Sequence, residues 1–187
     1  MTKDQLHKDL SYVDHSRRKR LYYANLVIAN PKLLAPLLEI LFEVDDKISC
    51  RAAWVFEFIC GEKLEAIIPY LDTFTENISR VHINATIRPV AKICEYLIKA
   101  YYSKEEHTIK KHLTEQHKEK IIEACFDWMI TDQMVAPKAY AMHSLFLLGN
   151  QYDWIHPELA IILERDFQIQ SAGYKARARH ILKKIKH

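Results

Sequence analysis

Glycine is nearly missing from this chain: among 187 residues there are only Gly61, Gly149 and Gly173. Phosphate-cradling loops of the G-x-G-x-x-G and G-x-x-x-x-G-K-[ST] kinds need clustered glycines so that backbone N–H groups can close on an anion, and these three positions cannot supply one. Nucleotide-binding α/β folds are thereby disfavoured. Strand-like alternation of apolar and polar residues between turn signals is also missing. Cysteine is limited to Cys50, Cys60, Cys94 and Cys125, with no C-x-x-C pair. Neither a zinc site nor a disulfide framework is implied, and reduced, buried thiols are expected. No run of about 18 apolar residues occurs that could span a bilayer, and the opening MTKDQLHKDL has no apolar signal stretch. The expectation is a cytoplasmic protein without membrane contact.

What the chain does have is apolar residues recurring at three- and four-residue spacing nearly throughout, and a hydrophobic content of 49%, enough to bury a real core. A single all-α domain over residues 1–187 is expected. Asn30 followed by Pro31 reads as the cap and first residue of a helix over 31–43, with Leu33, Leu34, Leu37, Leu38 and Leu41 on one face. A second helix starts near Asp46, runs through SCRAAWVFEFIC and stops at Gly61, placed in the left-handed conformation after the last turn. Together they form a helical hairpin. Similar pairs follow: KLEAIIPYLDTF with ISRVHINATIRPVAKICEYLIKAYY, EKIIEACFDWMI with PKAYAMHSLFLLG, and HPELAIILERDF with the C-terminal segment. Residues 1–30 read as capping helices. Residues 31–187 read as about four pairs, with a charged insertion at 103–120, SKEEHTIKKHLTEQHKEK.

The second members of these pairs share a short pattern: R-A-A-W at Arg51, N-A-T-I at Asn84, K-A-Y-A at Lys138 and K-A-R-A at Lys175. Ala52, Ala85, Ala139 and Ala176 then fall in one column, where a small side chain would let neighbouring helices cross closely. Helix pairs, period and column together resemble the HEAT and armadillo-like repeat superfamily over residues 31–187, with Pro89 interrupting the second helix of pair two. The resemblance implies antiparallel helix pairs stacked as a short right-handed superhelix. It implies a non-catalytic binding or scaffolding module that meets a protein partner on its concave face. The candidate contact residues are Arg51, Trp54, Lys138, Tyr140, Lys175 and Arg177, a basic and partly aromatic set. A plainer reading stands beside it, in which Trp54 belongs to the core, Arg51 pairs with Glu57 or a neighbouring acid, and the lysines are solvated.

Charge is concentrated at the chain end. SAGYKARARHILKKIKH, residues 171–187, holds six Lys or Arg and no acid, whereas residues 1–170 carry 21 basic and 24 acidic groups. As the closing helix of an array, it would pack through Ala176, Ala178, Ile181, Leu182 and Ile185 and leave Lys175, Arg179, Lys183 and Lys186 to solvent. The alternative is a nucleic-acid contact through this basic helix, as in the HEAT-like DNA glycosylases of alkylation repair, which bind duplex DNA in a basic groove with aromatic and acidic side chains. The middle of the chain, with 15 basic and 21 acidic groups over residues 21–170, counts against a long DNA track.

No catalytic, cofactor or metal set stands out. His107, His112 and His117 are five residues apart, and on a helix each step of five rotates by about 140°, so the three cannot face one ion and are read as solvated. RAAWVFEFIC taken with SAGYKARAR is similar to short bacterial proteins that carry the name adenylosuccinate lyase. The S-S-x-M-P-x-K-x-N-P-type loop that bears the catalytic serine of such lyases has no counterpart, so no lyase activity is expected.

Overall fold

The computed structural model describes residues 1–185, and over them the chain forms eleven α-helices joined by short turns and 3₁₀ segments. Odd and even members of the expected pairs form two layers. The outer layer holds α1 (Lys3–Leu10), α3 (Leu34–Leu41), α5 (Leu71–Asn77), α8 (Glu115–Ile130) and α10 (Ile155–Asp166). The inner layer holds α2 (Arg17–Ala29), α4 (Ser49–Glu62), α6 (Asn84–Tyr101), α9 (Val135–Leu148) and α11 (Ala172–Ile185). Each inner helix packs on the next, α2 on α4, α4 on α6, α6 on α9 and α9 on α11, and the outer layer packs on them through α3 on α4, α8 and α10 on α9, and α10 on α11. One buried apolar cluster runs continuously from Leu6 to Ile181. No single helix among the described residues is long and apolar enough to cross a membrane.

Several expected boundaries move, each for a local reason. Pro31–Leu33 is a 3₁₀ turn and α3 begins only at Leu34. An α-helix begun at residue 31 would need an N–H at residue 36, but Pro36 has none; starting at Leu34 puts Pro36 in the first turn, where the missing donor costs nothing. Gly61 is not a left-handed stop: no glycine has positive φ, and α4 passes through Gly61 to Glu62. The first partner of α6 divides into a 3₁₀ segment, Leu64–Tyr70, and the short α5, with Pro69 at the break.

The charged stretch 103–120 is less of an insertion than its composition suggests. A short helix, α7 (Ile109–His112), sits in the connector, and residues 115–120 are already the first turns of α8. The start of α8 is fixed by a reciprocal cap in which Thr114 accepts from the His117 N–H while His117 Nδ1 accepts from the Thr114 N–H. The other ring nitrogen then carries the proton and donates to Asp72, 2.6 Å away. His117 is therefore buried and structural, not solvated as its spacing suggests. One residue on, Lys118 is fully buried. Its ammonium bonds Glu115, Gln151 and the Tyr101 hydroxyl and lies 4.4 Å from the centre of the Tyr101 ring.

The repeat register also differs from the one the shared pattern suggests. Ala52 is buried, but Ala85 and Ala176 are exposed and Ala139 is only half-buried. The column of fully buried small residues is Ala53, Ala91, Ala141 and Ala178. Each follows a buried residue by four positions (Ser49, Ile87, Pro137, Tyr174) and precedes another by three (Phe56, Cys94, Ser144, Ile181). This is the 3.6-residue stripe of a helix held between neighbours on both sides. In the closing helix the buried knobs are accordingly Tyr174, Ala178 and Ile181, with Leu182 and Ile185 at the margin and Ala176 outside. Lys186 lies outside the described residues.

Candidate functional site

With that register the inner helices present one continuous face. On α4 it carries Trp54, Glu57 and Phe58; on α6, Arg88, Lys92, Glu95 and Tyr96; on α9, Tyr140 and His143; and α2 contributes Arg17 and Arg20. Two adjoining hollows occupy it and share Arg20 and Arg88. The first is about 700 Å³ and is bounded by Trp54 and by the N-terminal residues of α6 and α9. The second, about 400 Å³, is bounded by Arg17, Glu57, Phe58, Glu62 and Tyr96.

Trp54 is positioned by a defect in the neighbouring helix. Pro89 lies inside α6 and has no N–H, so the carbonyl four residues before it, that of Ala85, lacks its helical partner. The indole N–H of Trp54 donates to that carbonyl at 3.1 Å. The side chain is thus tied across two helices where it lines the first hollow, and the His15 ring packs against it at 4.9 Å. α6 runs without interruption past Pro89, and the carbonyl left without a helical donor is satisfied from α4.

Further along, the aromatic residue five positions after the buried alanine recurs on three helices, as Phe58, Tyr96 and Phe146. Each has a cation over it: Arg17 and Arg20 over Phe58, Lys92 over Tyr96, and Lys184 of α11 over Phe146. Lys92 also lies 4.4 Å from the centre of the Tyr140 ring. Such contacts draw a cation to a ring face and restrain the long side chains that line the groove.

Two buried glutamates bridge the inner helices. Glu57 pairs with Arg88 at 3.3 Å, and burial holds its carboxyl above the ordinary range against the pull of Arg88, Arg20 and Lys92. Glu95 is buried as well, but there hydrogen bonds outweigh burial. His143 Nδ1 at 2.7 Å and Lys92 Nζ at 2.6 Å keep the carboxylate below its usual value, and Lys92 is held above its own by the same contact. Among the described residues, a grouping with metal-ligand spacing is His7, Glu43 and Asp46, near α1 and away from the groove. His7 is 2.6 Å from Asp46 and Lys3 is 2.8 Å from Glu43.

Of the six residues singled out from sequence, the groove contains Trp54 and, beside Lys92, Tyr140. Three others serve helix ends. Arg51 turns to the end of α1, where its guanidinium donates to the carbonyls of Leu10 and Ser11. Lys138 is buried and donates to the Met129 carbonyl in the last turn of α8, and Lys175 donates to the Gln168 carbonyl beyond α10. Cations at helix C-termini complement the macrodipole and satisfy orphan carbonyls. Arg177 is exposed on α11. Sequence reasoning missed Arg20, Arg88, Lys92, Glu95 and His143. The readable signal was Pro89, which announces an unpaired carbonyl on α6.

Comparison with known proteins gives one answer. The HEAT repeat domain family matches residues 14–185, from just before α2 to the end of α11. This chain belongs to that family. The match takes in every inner helix of the HEAT repeat and leaves only α1 outside. No curated protein and no solved structure matches the chain, and the likeness to lyase-named proteins is not shown by these comparisons.

Proposed function

We propose that this HEAT repeat domain is a protein-binding module whose contact surface is the groove along α2, α4, α6 and α9. The observation that carries the reading is the groove's mixture of aromatic rings with both signs of charge, the cations Arg88 and Lys92 being matched by Glu57 and Glu95. Protein partners suit such a surface, whereas a nucleic-acid track calls for unbroken positive potential. The second reading, a nucleic-acid partner, has the exposed cations Arg177, Arg179, Lys183 and Lys184 of α11 in its favour. Against it, Arg179 lies over Phe167 and Lys184 over Phe146, the contacts of a closing helix. No catalytic role is proposed, and a reducing, cytoplasmic setting suits the free thiols of Cys60, Cys94 and Cys125.

Photo-crosslinking inside cells tests this directly. A benzophenone amino acid replaces Phe58 or Tyr96 in the groove, with Ile161 on the outer face as control, that residue being 59% exposed. The expected result is protein adducts from the groove positions and none from the control. Adducts that disappear on nuclease treatment, or equal labelling from Ile161, would overturn the proposal.

A further inference from the structure

We infer that the larger hollow, at the N-terminal ends of α6 and α9, receives a peptide segment in which a carboxylate side chain stands close to a large apolar one. The inference rests on the protein-binding reading above and names the partner's chemistry. About 700 Å³ is room for a few side chains. Its walls hold an apolar part, Trp54, Met134, Val135 and Pro137, and a cationic part, Arg20 and Arg88, beside the polar groups of His15 and Asn84, with no acidic residue among them. Met134 is 65% exposed, an apolar side chain left to water at the rim.

The cationic part is preorganised. Arg20 spends Nε and Nη2 on the carbonyls of Ser16 and His15, and Arg88 spends Nη1 on Glu57. Among the described residues no hydrogen bond takes Arg20 Nη1 or the Nε and Nη2 of Arg88, so fixed donors remain, with little side-chain entropy left to lose on binding. Both helices that open here, α6 and α9, lack a side-chain cap, which adds positive partial charge at the same rim. These features select negative charge. They select a single carboxylate on a peptide over a polyanion, because the adjoining hollow is lined by Glu57 and Glu62 and the groove beyond it by Glu95. A phosphate chain continuing along the groove would run onto those carboxylates; a peptide whose next residue is apolar would lie on Trp54 and Met134 instead.

The test uses the full chain and fluorescein-labelled 12-residue peptide pools, degenerate except for a central Glu-x-x-Phe, Gln-x-x-Phe, Lys-x-x-Phe or phosphoserine-x-x-Phe. A 20-base-pair DNA duplex is measured alongside at physiological salt. The Glu pool should bind tightest, by about fivefold or more over Gln, the scale of one charge-assisted pair. Arg20→Gln should bring the Glu and Gln pools within about twofold while the far-UV circular dichroism stays native, since Arg20 bonds carbonyls at the start of its own helix and crosses to α4 only by lying over the half-buried Phe58. Trp54→Ala, or Met134→Ser where the first variant melts early, should weaken every pool. A Lys pool at least as tight as Glu would overturn the carboxylate assignment while leaving the groove standing if Met134→Ser still weakens binding, and Glu selectivity that survives both Arg20→Gln and Arg88→Gln would overturn the placing of the carboxylate in this hollow. Tighter binding of phosphoserine or of the duplex would replace it with a phosphate site. Binding that ignores both Trp54→Ala and Met134→Ser would overturn this inference and the groove reading together.

Discussion

At the residue scale, the pairing of Trp54 with Pro89 gives a quantitative expectation. Trp54→Phe removes the donor to the Ala85 carbonyl while keeping an aromatic ring, and should cost about 1 kcal/mol. Pro89→Ala gives that carbonyl a helical N–H, so the same Phe substitution in that background should cost measurably less; denaturant midpoints of the four proteins close the cycle. Additive costs would mean that the proline and the indole are unrelated. Gly149 makes a second case. Its backbone is ordinary right-handed helix, so alanine would be welcome there on conformational grounds. The obstacle is a ring: an added Cβ would overlap the imidazole of His156, whose Nε2–H donates to the Phe146 carbonyl at 2.8 Å. Gly149→Ala should cost about 1–3 kcal/mol, and much of that should vanish when His156 is also replaced by alanine.

At the scale of the element, existence was legible and register was not. Periodicity at three and four residues located both members of each pair because every helix buries a stripe whatever its neighbours do. Which residue of that stripe meets a neighbour depends on crossing geometry, which a single sequence does not encode. The similarity of R-A-A-W, K-A-Y-A and K-A-R-A therefore pointed to Ala85, Ala139 and Ala176, while the packed column is Ala53, Ala91, Ala141 and Ala178. The same limit scattered the candidate site: Arg51, Lys138 and Lys175 are basic and aligned, but a long side chain can reach back to a helix end as readily as forward to a groove. Helix α11 shows what the correct register predicts. Its anchor Tyr174 is fully buried, yet among the described residues the hydroxyl has no hydrogen-bond partner. Tyr174→Phe should leave the melting temperature unchanged or raise it, while Tyr174→Ala should cost about 3–5 kcal/mol. Removing residues 172–187 should expose α9 and α10 and cause aggregation or early melting, which light scattering during a thermal ramp would detect.

At the scale of the whole molecule, the layers are locked at one edge by the node around Lys118, which joins the end of α6, the start of α8 and the turn after α9. Glu115 is its ionised member. Hydrogen bonds from Lys118 and Tyr152 hold its carboxyl at about 2, below the ordinary 4.5. A depressed carboxyl contributes stability that is complete above its unfolded value and lost as pH falls through the folded one, so this contribution should fade between about 4.5 and about 2. Glu115 is well exposed, which screens the effect, so the readable quantity is a difference. Between pH 6 and pH 3 the urea midpoint should fall less for Glu115→Gln than for the native chain; equal falls would remove Glu115 from the acid response.

The bridges Glu57–Arg88 and Glu95–His143 carry a mechanical consequence. Each spans two successive inner helices on the grooved side, so any bending that spreads those helices must stretch both contacts, whereas bending that closes them does not. The array should behave as a spring that is stiffer to opening than to closing. Pulled end to end, it should keep its curvature up to the force at which the first bridge parts and then yield abruptly.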